Sequence, residues 1–336
     1  MRYPIKFHHS DIFIIIIFSI LLNVIRKCII YFYKFFSNQI LFLFFMFLGE
    51  SLSGFLYLYE QNTMKNLSMI SYIEKDFLEI KSNNRLKINF LIFYCSFSDF
   101  LYTFDYSRFY FESLKKYSNY FKINMLFTLC LTLIEYFFLN IQFFRHHMIG
   151  IIIILFTYII YCLQITILNN FSKITIIIYL ILDLEFGFIR SIYYSFEKKI
   201  NYEYYVSIYY IVFLEGIFGI LITLIYTFIT SFFFKTNYNI NINEILTIDG
   251  IISILLFCIL TCFFNVCRLK ISEKKKPSFN IITLCFFFIN ENNIDLKRIY
   301  IYFIFLLIGN LIFCEIISLN FCQLDKYTNK ILIKEA

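Results

Sequence analysis

The chain has 336 residues, of which 60% are hydrophobic and only 16% are charged, and its mean hydropathy is +0.73. A soluble domain normally carries about 25% charged residues to cover its surface, so this composition excludes an ordinary soluble globular protein. The net charge of +7 is interpreted first as a topology signal, because Lys and Arg accumulate in the cytosolic loops of membrane proteins.

The apolar residues form runs of near-bilayer length that are bounded by Lys, Asn or Glu clusters. About 20 helical residues cross a hydrocarbon core of about 30 Å, and helices satisfy the backbone hydrogen bonds there. The sequence therefore predicts one all-α membrane domain over residues 1–336 with about ten transmembrane helices. In chain order, the predicted spans are Asp11–Tyr33, Asn38–Tyr59, Ile88–Tyr106, Tyr120–Asn140, His147–Leu168, Ile174–Tyr194, Tyr205–Phe234, Ile248–Cys267, Ser278–Asn290 and Ile299–Phe321.

The first run is predicted to be a retained helix and not a cleaved signal peptide, since its apolar core is long and no small-residue cleavage site precedes Arg26. With ten spans both termini lie on one side, and most basic residues fall in the segments of that side. Those residues are Arg2, Lys6, Lys65, Lys75, Lys81, Arg85, Lys87, Arg145, Lys198, Lys199, Arg268, Lys270, Lys274, Lys275, Lys276, Lys326, Lys330 and Lys334. The opposite side holds mainly Lys115, Lys116, Lys235, Lys297 and Arg298, so cytosolic termini are predicted.

Motifs of soluble catalysis are missing from the sequence. It contains no G-x-S-x-G elbow, Walker loop or G-x-G-x-x-G turn, so we predict no enzyme and no cofactor. The ten cysteines form no C-x-x-C pair and are interpreted as small apolar side chains, without a metal site or a disulfide framework. All four histidines, His8, His9, His146 and His147, lie at predicted membrane edges. The expected partners are the lipid bilayer and a small-molecule substrate, with a homodimer left open and no nucleic acid.

Ionisable residues inside the apolar runs carry most of the functional signal. They are Glu50, Asp99, Glu135, Asp183, Glu185, Arg190, Glu215 and Glu315. A charge near mid-bilayer costs at least a few kcal/mol, so such residues normally face a cavity or a partner. The simpler interpretation is a helix-end charge that reaches the headgroups; it applies best to Glu50 and Glu315 and least well to Glu135 and Glu215. Together the charges predict a polar interior.

Glycines inside the same runs predict close contacts between helices. Gly216 and Gly219 are three residues apart in the seventh span, and small residues let membrane helices approach closely. Gly49, Gly54 and Gly150 are predicted to serve in the same way.

Several short motifs follow one another in the order found in a known transporter family. They are Met46-Phe47-Leu48-Gly49-Glu50, Ser98-Asp99, His147-Met148-Ile149-Gly150, Glu197-Lys198, Glu215-Gly216-Ile217-Phe218-Gly219, Phe264-Asn265 and the segment Glu315–Asp325. From about residue 38 to 325 the chain resembles the drug/metabolite transporter superfamily (EamA-like), in its nucleotide-sugar-transporter-like, solute carrier 35F-type branch, as a divergent protist-like member. The resemblance implies two five-helix inverted repeats, about 11–168 and 174–321, around a substrate cavity with alternating access.

The resemblance also implies roles for individual residues and departs from the family pattern at both cavity helices. Lys122, Asn124 and Arg190 would bind substrate, with Lys122 and Arg190 contacting its anionic groups. Glu50, Asp99, Glu215, Gly216, Gly219 and Asn265 would set helix packing or ion coupling. The fourth span lacks the family's glycine after Phe121-Lys122-Ile123-Asn124. The ninth, near Ser278, lacks the family's acidic residue and arginine.

Three functions remain open from the sequence. The first is a secondary transporter of a small polar metabolite, nucleotide-sugar-like or another organic anion, in an endomembrane of Golgi, ER or lysosome-like type. The second is a transport-inactive relative retained as a membrane scaffold or regulator, which the two degenerate cavity helices would favour. The third is an unrelated seven-helix receptor, which the helix count and the order of the motifs oppose.

Overall fold

A computed structural model describes residues 5–7, 39–66, 84–108, 126–139, 143–169, 173–204, 206–234, 247–274, 300–315 and 317–319. These residues are almost entirely helical. The helices are α1 (Gln39–Ser51), α2 (Ser53–Asn66), α3 (Arg85–Arg108), α4 (Phe127–Leu139), α5 (Arg145–Asn169), α6 (Lys173–Tyr204), α7 (Ile208–Phe234), α8 (Ile248–Lys274) and α9 (Tyr300–Phe313). The described residues also include one short antiparallel pair, β1 (Ile5–Phe7) with β2 (Ile317–Leu319), and the predicted helical class is otherwise confirmed.

Four helical segments within the described residues are long and apolar enough to cross a membrane. They are Ile40–Thr63, Arg145–Leu163, Ile208–Phe233 and Ile248–Lys270, and they correspond to the predicted second, fifth, seventh and eighth spans. The membrane character predicted from composition is therefore confirmed at this coarser level.

The other six predicted spans are not among these four long apolar segments. The third and sixth lie within α3 and α6, whereas the fourth and tenth contain α4 and α9. The last two helices include the shorter apolar segments Phe127–Phe138 and Ile304–Phe313. The first and ninth spans lie outside the described residues. A total of ten spans therefore stays a prediction.

The chain divides into two compact units, and each draws on both halves of the sequence. Unit 1 comprises residues 1–22, 115–191 and 275–336, and unit 2 comprises residues 23–114 and 192–274. The boundary falls inside α6, between Ser191 and Ile192.

In unit 2, α1 packs against both α7 and α8, and α3 packs against α7. A Cβ atom on Gly216 would collide with the backbone of Glu50 and Ser51, and one on Gly219 would collide with the Phe47 ring. Glycine at these two positions therefore lets α1 and α7 approach to backbone contact, as small residues do in membrane helix pairs. The predicted packing role of Gly216 and Gly219 agrees with this placement.

The break between α1 and α2 lies two residues after Glu50. Leu52 separates the two helices, and the Ser53 hydroxyl lies 2.7 Å from the Glu50 carbonyl oxygen and 3.1 Å from that of Tyr209. Serine hydroxyls that bond to backbone carbonyls compete with the helical ladder and bend helices. One bilayer-length segment thus consists of two helices that meet beside a buried glutamate.

In unit 1, α5 and α9 form the main helix pair. A Cβ atom on Gly150 would lie 2.8 Å from the Gly309 carbonyl oxygen, and one on Gly309 would lie 3.2 Å from the Gly150 carbonyl oxygen. Thr128 on α4 joins this pair, because its hydroxyl donates to the Asn310 side-chain oxygen at 2.8 Å.

Polarity in the described residues is distributed as in a membrane protein. Large apolar side chains on the long helices are exposed, for example Phe55 at 73% and Phe232 at 70%, whereas Glu50, Glu215 and Arg268 are no more than 2% exposed. Lipid can cover the outward apolar surface without free-energy cost, while buried charges need partners inside the protein. The interior of unit 2 is where those partners are found.

Candidate functional site

Seven polar side chains from five helices form a cluster in unit 2, which we call the polar cluster; six of them are buried and Asp99 is partly buried. It consists of Glu50 on α1, Asp99 on α3, Tyr193 and Glu197 on α6, Glu215 on α7, and Asn265 and Arg268 on α8.

Arg268 and Glu197 form the centre of the polar cluster. Two guanidinium nitrogens of Arg268 donate to the two carboxylate oxygens of Glu197, and the Nη2–Oε1 distance is 2.6 Å. Both side chains are almost fully buried, at 2% and 1% exposure. The guanidinium also lies 4.9 Å from the ring centroids of both Tyr193 and Tyr194. A bidentate, aromatic-flanked pair is the geometry in which a buried arginine is best compensated.

Two hydrogen-bond relays lead outward from the guanidinium of Arg268. In the first, Arg268 Nε donates to Asn265 Oδ1 at 3.1 Å, and Asn265 Nδ2 donates to Glu50 Oε1 at 2.7 Å. In the second, Arg268 Nη2 donates to the Tyr193 hydroxyl at 2.5 Å, and that hydroxyl donates to Glu215 Oε2 at 3.4 Å. Glu50 and Glu215 thus occupy equivalent positions, each one neutral side chain away from the same ion pair.

Each of these two glutamates keeps one carboxyl oxygen unengaged. Among the residues that the structure describes, Glu50 Oε2 and Glu215 Oε1 are buried and have no hydrogen-bond partner. Asp99 interacts electrostatically with both glutamates, and the Ser96 hydroxyl donates to the Glu215 backbone carbonyl at 2.9 Å. The described polar cluster therefore contains four carboxyl groups and one guanidinium, and it carries more acid than base.

The sequence-predicted residues fall in three places. Glu50, Asp99, Glu215 and Asn265 all belong to the polar cluster, which brings four predicted coupling residues together. Arg190 lies in unit 1, where its guanidinium is 5.5 Å from the Phe127 ring centroid.

Lys122 and Asn124 lie outside the described residues. Their proposed substrate contacts therefore stay a prediction, as do those of Arg190.

Arg268 is the residue that sequence reasoning misjudged most. Counted there among the exposed basic residues of a cytosolic segment, it is instead buried and paired with Glu197. The α8 helix continues to Lys274, so Arg268 lies inside a helix and not in a loop. The missed signal was the run of apolar residues before Arg268 together with Glu197, an acidic residue just beyond the end of the predicted sixth span.

The headgroup interpretation of Glu50 and Glu315 is also wrong, because both are buried, at 1% and 4% exposure. In unit 1, Glu315 Oε1 lies 2.8 Å from His147 Nε2, while the Phe144 backbone N–H donates to His147 Nδ1 at 3.1 Å. Since Nδ1 accepts, Nε2 carries the hydrogen and the imidazole is neutral. His147, predicted at a membrane edge, is therefore a buried hydrogen-bond donor.

Cysteine is distributed through the described helices as free thiols. The buried ones are Cys95, Cys130, Cys258, Cys262 and Cys314. Within the described ranges no three His, Cys, Asp or Glu side chains are grouped to hold a metal ion.

Comparison with known proteins gives no family for this chain: no protein-family model, no curated protein and no solved structure matches it.

Proposed function

We propose that the chain is a multi-pass secondary transporter of a small polar metabolite, built on the ten-helix drug/metabolite transporter plan. The observation that carries the proposal is the polar cluster itself, buried among bilayer-length helices. Ionisable side chains at membrane depth are energetically expensive, and they typically mark ion or substrate pathways.

A first support is the broken span that contributes Glu50. Non-helical backbone at membrane depth is tolerated where it is buried in protein or lines a cavity, and transporters place such breaks beside their binding sites. Here the break at Leu52 follows Glu50 by two residues. Its carbonyl groups are partly satisfied by the hydroxyls of Ser51 and Ser53.

A second support is that one helix contact is repeated when each predicted span is replaced by the span five positions away in chain order. In unit 2 the second span packs on the eighth through α1 and α8, and the seventh packs on the third through α7 and α3. The aromatic contacts match: Phe42 and Phe257 have ring centroids 5.4 Å apart, and Phe218 and Phe93 have centroids 5.6 Å apart.

The polar contacts between these helices repeat in the same way. Glu50 of the second span bonds Asn265 of the eighth, and Glu215 of the seventh interacts with Asp99 of the third. Two repeats of five spans would produce this pattern. In unit 1 the fifth and tenth spans, which would be equivalent helices of the two repeats, pair through Gly150 and Gly309.

We assign substrate and coupling to different residues. The polar cluster carries an excess of carboxyl groups and suits coupling better than anion binding. Lys122 and Arg190 remain the proposed contacts for an anionic, nucleotide-sugar-like substrate in an endomembrane of Golgi, ER or lysosome-like type. A guanidinium binds phosphate or carboxylate in a two-point geometry.

Reconstituted transport tests the proposal. Purified protein in liposomes should exchange at least one compound from a panel of nucleotide sugars, nucleotides and organic acids. Arg190→Ala and Lys122→Ala should reduce that exchange at least tenfold, while Glu203→Gln, at an exposed carboxyl on α6, should not. Folded protein that exchanges nothing on the panel, beside an active transporter reconstituted in parallel, would contradict the proposal.

A transport-inactive scaffold is the second candidate, and one observation favours it. Arg268 is engaged by Glu197, Tyr193 and Asn265, so this buried cation is committed to structure. Cysteine labelling decides between the two: a scaffold keeps a thiol placed at Ser195 sealed from membrane-impermeant reagents on both sides. A transporter exposes that thiol from each side in turn, because alternating access opens its interior.

A further inference from the structure

We propose that Glu50 and Glu215 are a matched pair of proton-binding carboxyls, which take up and release protons when the polar cluster meets water. The inference deepens the proposed transport function and rests on it for the use of those protons in coupling. The proton-binding step itself can be measured without a known substrate.

The burial of the two side chains is the first step of the argument. Glu50 is 1% exposed and Glu215 is 2% exposed. Each carboxyl accepts one hydrogen bond at one oxygen, from Asn265 and from Tyr193 respectively. Among described atoms, the other oxygen of each has no hydrogen-bond partner. An ionised carboxylate in that setting is a desolvated charge with half of its acceptor capacity unused, which proteins normally avoid by neutralising the group.

Among the described residues, the positive charge that faces both glutamates is that of Arg268. The charged and titratable groups that face them are Asp99 and Cys95 from α3, Glu197 and Tyr193 from α6, and Cys262 and Arg268 from α8. The guanidinium of Arg268 is already joined at two points to Glu197. With that pair neutral, ionised Glu50, Glu215 and Asp99 would repel one another at short range in a medium of low dielectric constant.

The two relays make the pair a connected unit. Asn265 and Tyr193 each accept from Arg268 and donate to one glutamate. An ionised glutamate accepts a stronger hydrogen bond from its donor than a protonated glutamate does. The protonation state of Glu50 is therefore transmitted to Glu215 through one shared ion pair. A proton that leaves either carboxyl passes to water that enters the cluster, and the carboxylate then remains hydrated until a proton returns.

Infrared spectroscopy of the full-length protein in lipid vesicles tests the proposal. Wild-type protein at neutral pH should show the carbonyl stretch of protonated carboxylic acid, shifted after exchange into heavy water. Glu50→Gln and Glu215→Gln should each reduce the band, and the double variant should lose the sum of the two reductions. Glu203→Gln, with its exposed carboxyl, should leave the band unchanged. Thermal unfolding of each variant establishes that it is folded.

Three outcomes would overturn the inference. They are the absence of the band from folded wild-type protein, an undiminished band in the double variant, and its loss in Asp99→Asn while both glutamates remain. The result is independent of the transport assay. If the band behaves as expected and no metabolite is exchanged, proton binding stands and only the proposed transport function fails.

Discussion

At the scale of single residues, the buried charge of Arg268 is tolerated only because several groups share it. Glu197 neutralises it by accepting from Nη1 and Nη2, the Tyr193 hydroxyl also accepts from Nη2, and Asn265 accepts from Nε. Removing one partner from a buried ion pair leaves an uncompensated charge, whereas replacing both with apolar groups is often neutral. The pair can therefore be examined with single and double substitutions.

Arg268→Met should lower the free energy of unfolding by about 3–5 kcal/mol, because it leaves the Glu197 carboxylate buried and unpaired. The double variant Arg268→Met with Glu197→Met should recover most of that loss. Unfolding in detergent, followed by circular dichroism, measures both. Glu203→Gln removes an exposed carboxyl from α6 and should change stability by less than about 1 kcal/mol. A double variant no more stable than Arg268→Met would contradict the ion-pair account.

Glu315 combines a hydrogen-bonding role with an unusual backbone. It has a φ angle of 59°, in the left-handed region that only glycine adopts without penalty. It follows the end of α9, where left-handed residues commonly terminate helices. The hydrogen bond to His147 offsets the strain of a non-glycine residue there.

Two substitutions at position 315 separate the backbone strain from the lost hydrogen bond. Glu315→Ala and Glu315→Gly both remove the carboxylate from His147, but only alanine keeps a Cβ in the left-handed conformation. The glycine variant should therefore be the more stable of the two by about 1 kcal/mol. Melting curves of the purified proteins in one detergent compare them directly. An alanine variant as stable as the glycine variant would show that position 315 is not held in this conformation.

At the scale of elements, contact between α1 and α7 aligns Glu50 with Glu215. A Cβ atom at Gly216 would meet main-chain atoms of α1, whereas a Cβ atom at Gly219 would meet the Phe47 side chain. A side chain can be shortened, but a backbone cannot. The two glycines therefore differ in whether a second substitution can compensate for their loss.

Gly219→Ala should destabilise the protein by about 1–3 kcal/mol through overpacking, and Phe47→Leu should relieve part of it. The double variant should then be more stable than the sum of the single effects predicts. Gly216→Ala should be as damaging, and Phe47→Leu should not rescue it. Thermal unfolding of the three single variants and the two double variants with Phe47→Leu provides the comparison. Equal rescue of both glycine substitutions would contradict the described contact.

At the scale of the whole molecule, the distribution of basic residues predicts the orientation of the chain in the membrane. Burial of Arg268 removes one residue from the cytosolic count, and the rest of that asymmetry is unaffected. Ten spans place both termini and the sequon Asn66-Leu67-Ser68 in the cytosol, where glycosylation does not occur. The sequon Asn170-Phe171-Ser172 would lie on the opposite side, close to the membrane.

Glycosylation reporters placed at each terminus should therefore remain unmodified, whereas reporters inserted beside Lys116 and Lys235 should acquire glycan. The basic residues predicted on the cytosolic side set this orientation. Gel mobility before and after glycosidase treatment measures the modification. A glycan at Asn66 would reverse the orientation, and glycan at only one terminus would require an odd number of spans.

Composition and apolar run length determined that this chain is a helical membrane protein, because the bilayer admits few other solutions for a backbone. Four of the runs are long apolar helices in the structure, and the glycines predicted to allow close helix packing, Gly216 and Gly219, lie against α1. These properties are local, since each depends on residues within about one span.

The partners of the buried charges were decided by tertiary structure alone. Glu50 meets Asn265 across 215 positions, and Glu197 meets Arg268 across 71. Arg268 had the sequence context of a helix-end cation, and only packing against α6 made it the centre of the polar cluster. Burial is a property of neighbouring helices, so no single run of residues reveals which charged side chain faces lipid headgroups and which faces another charge.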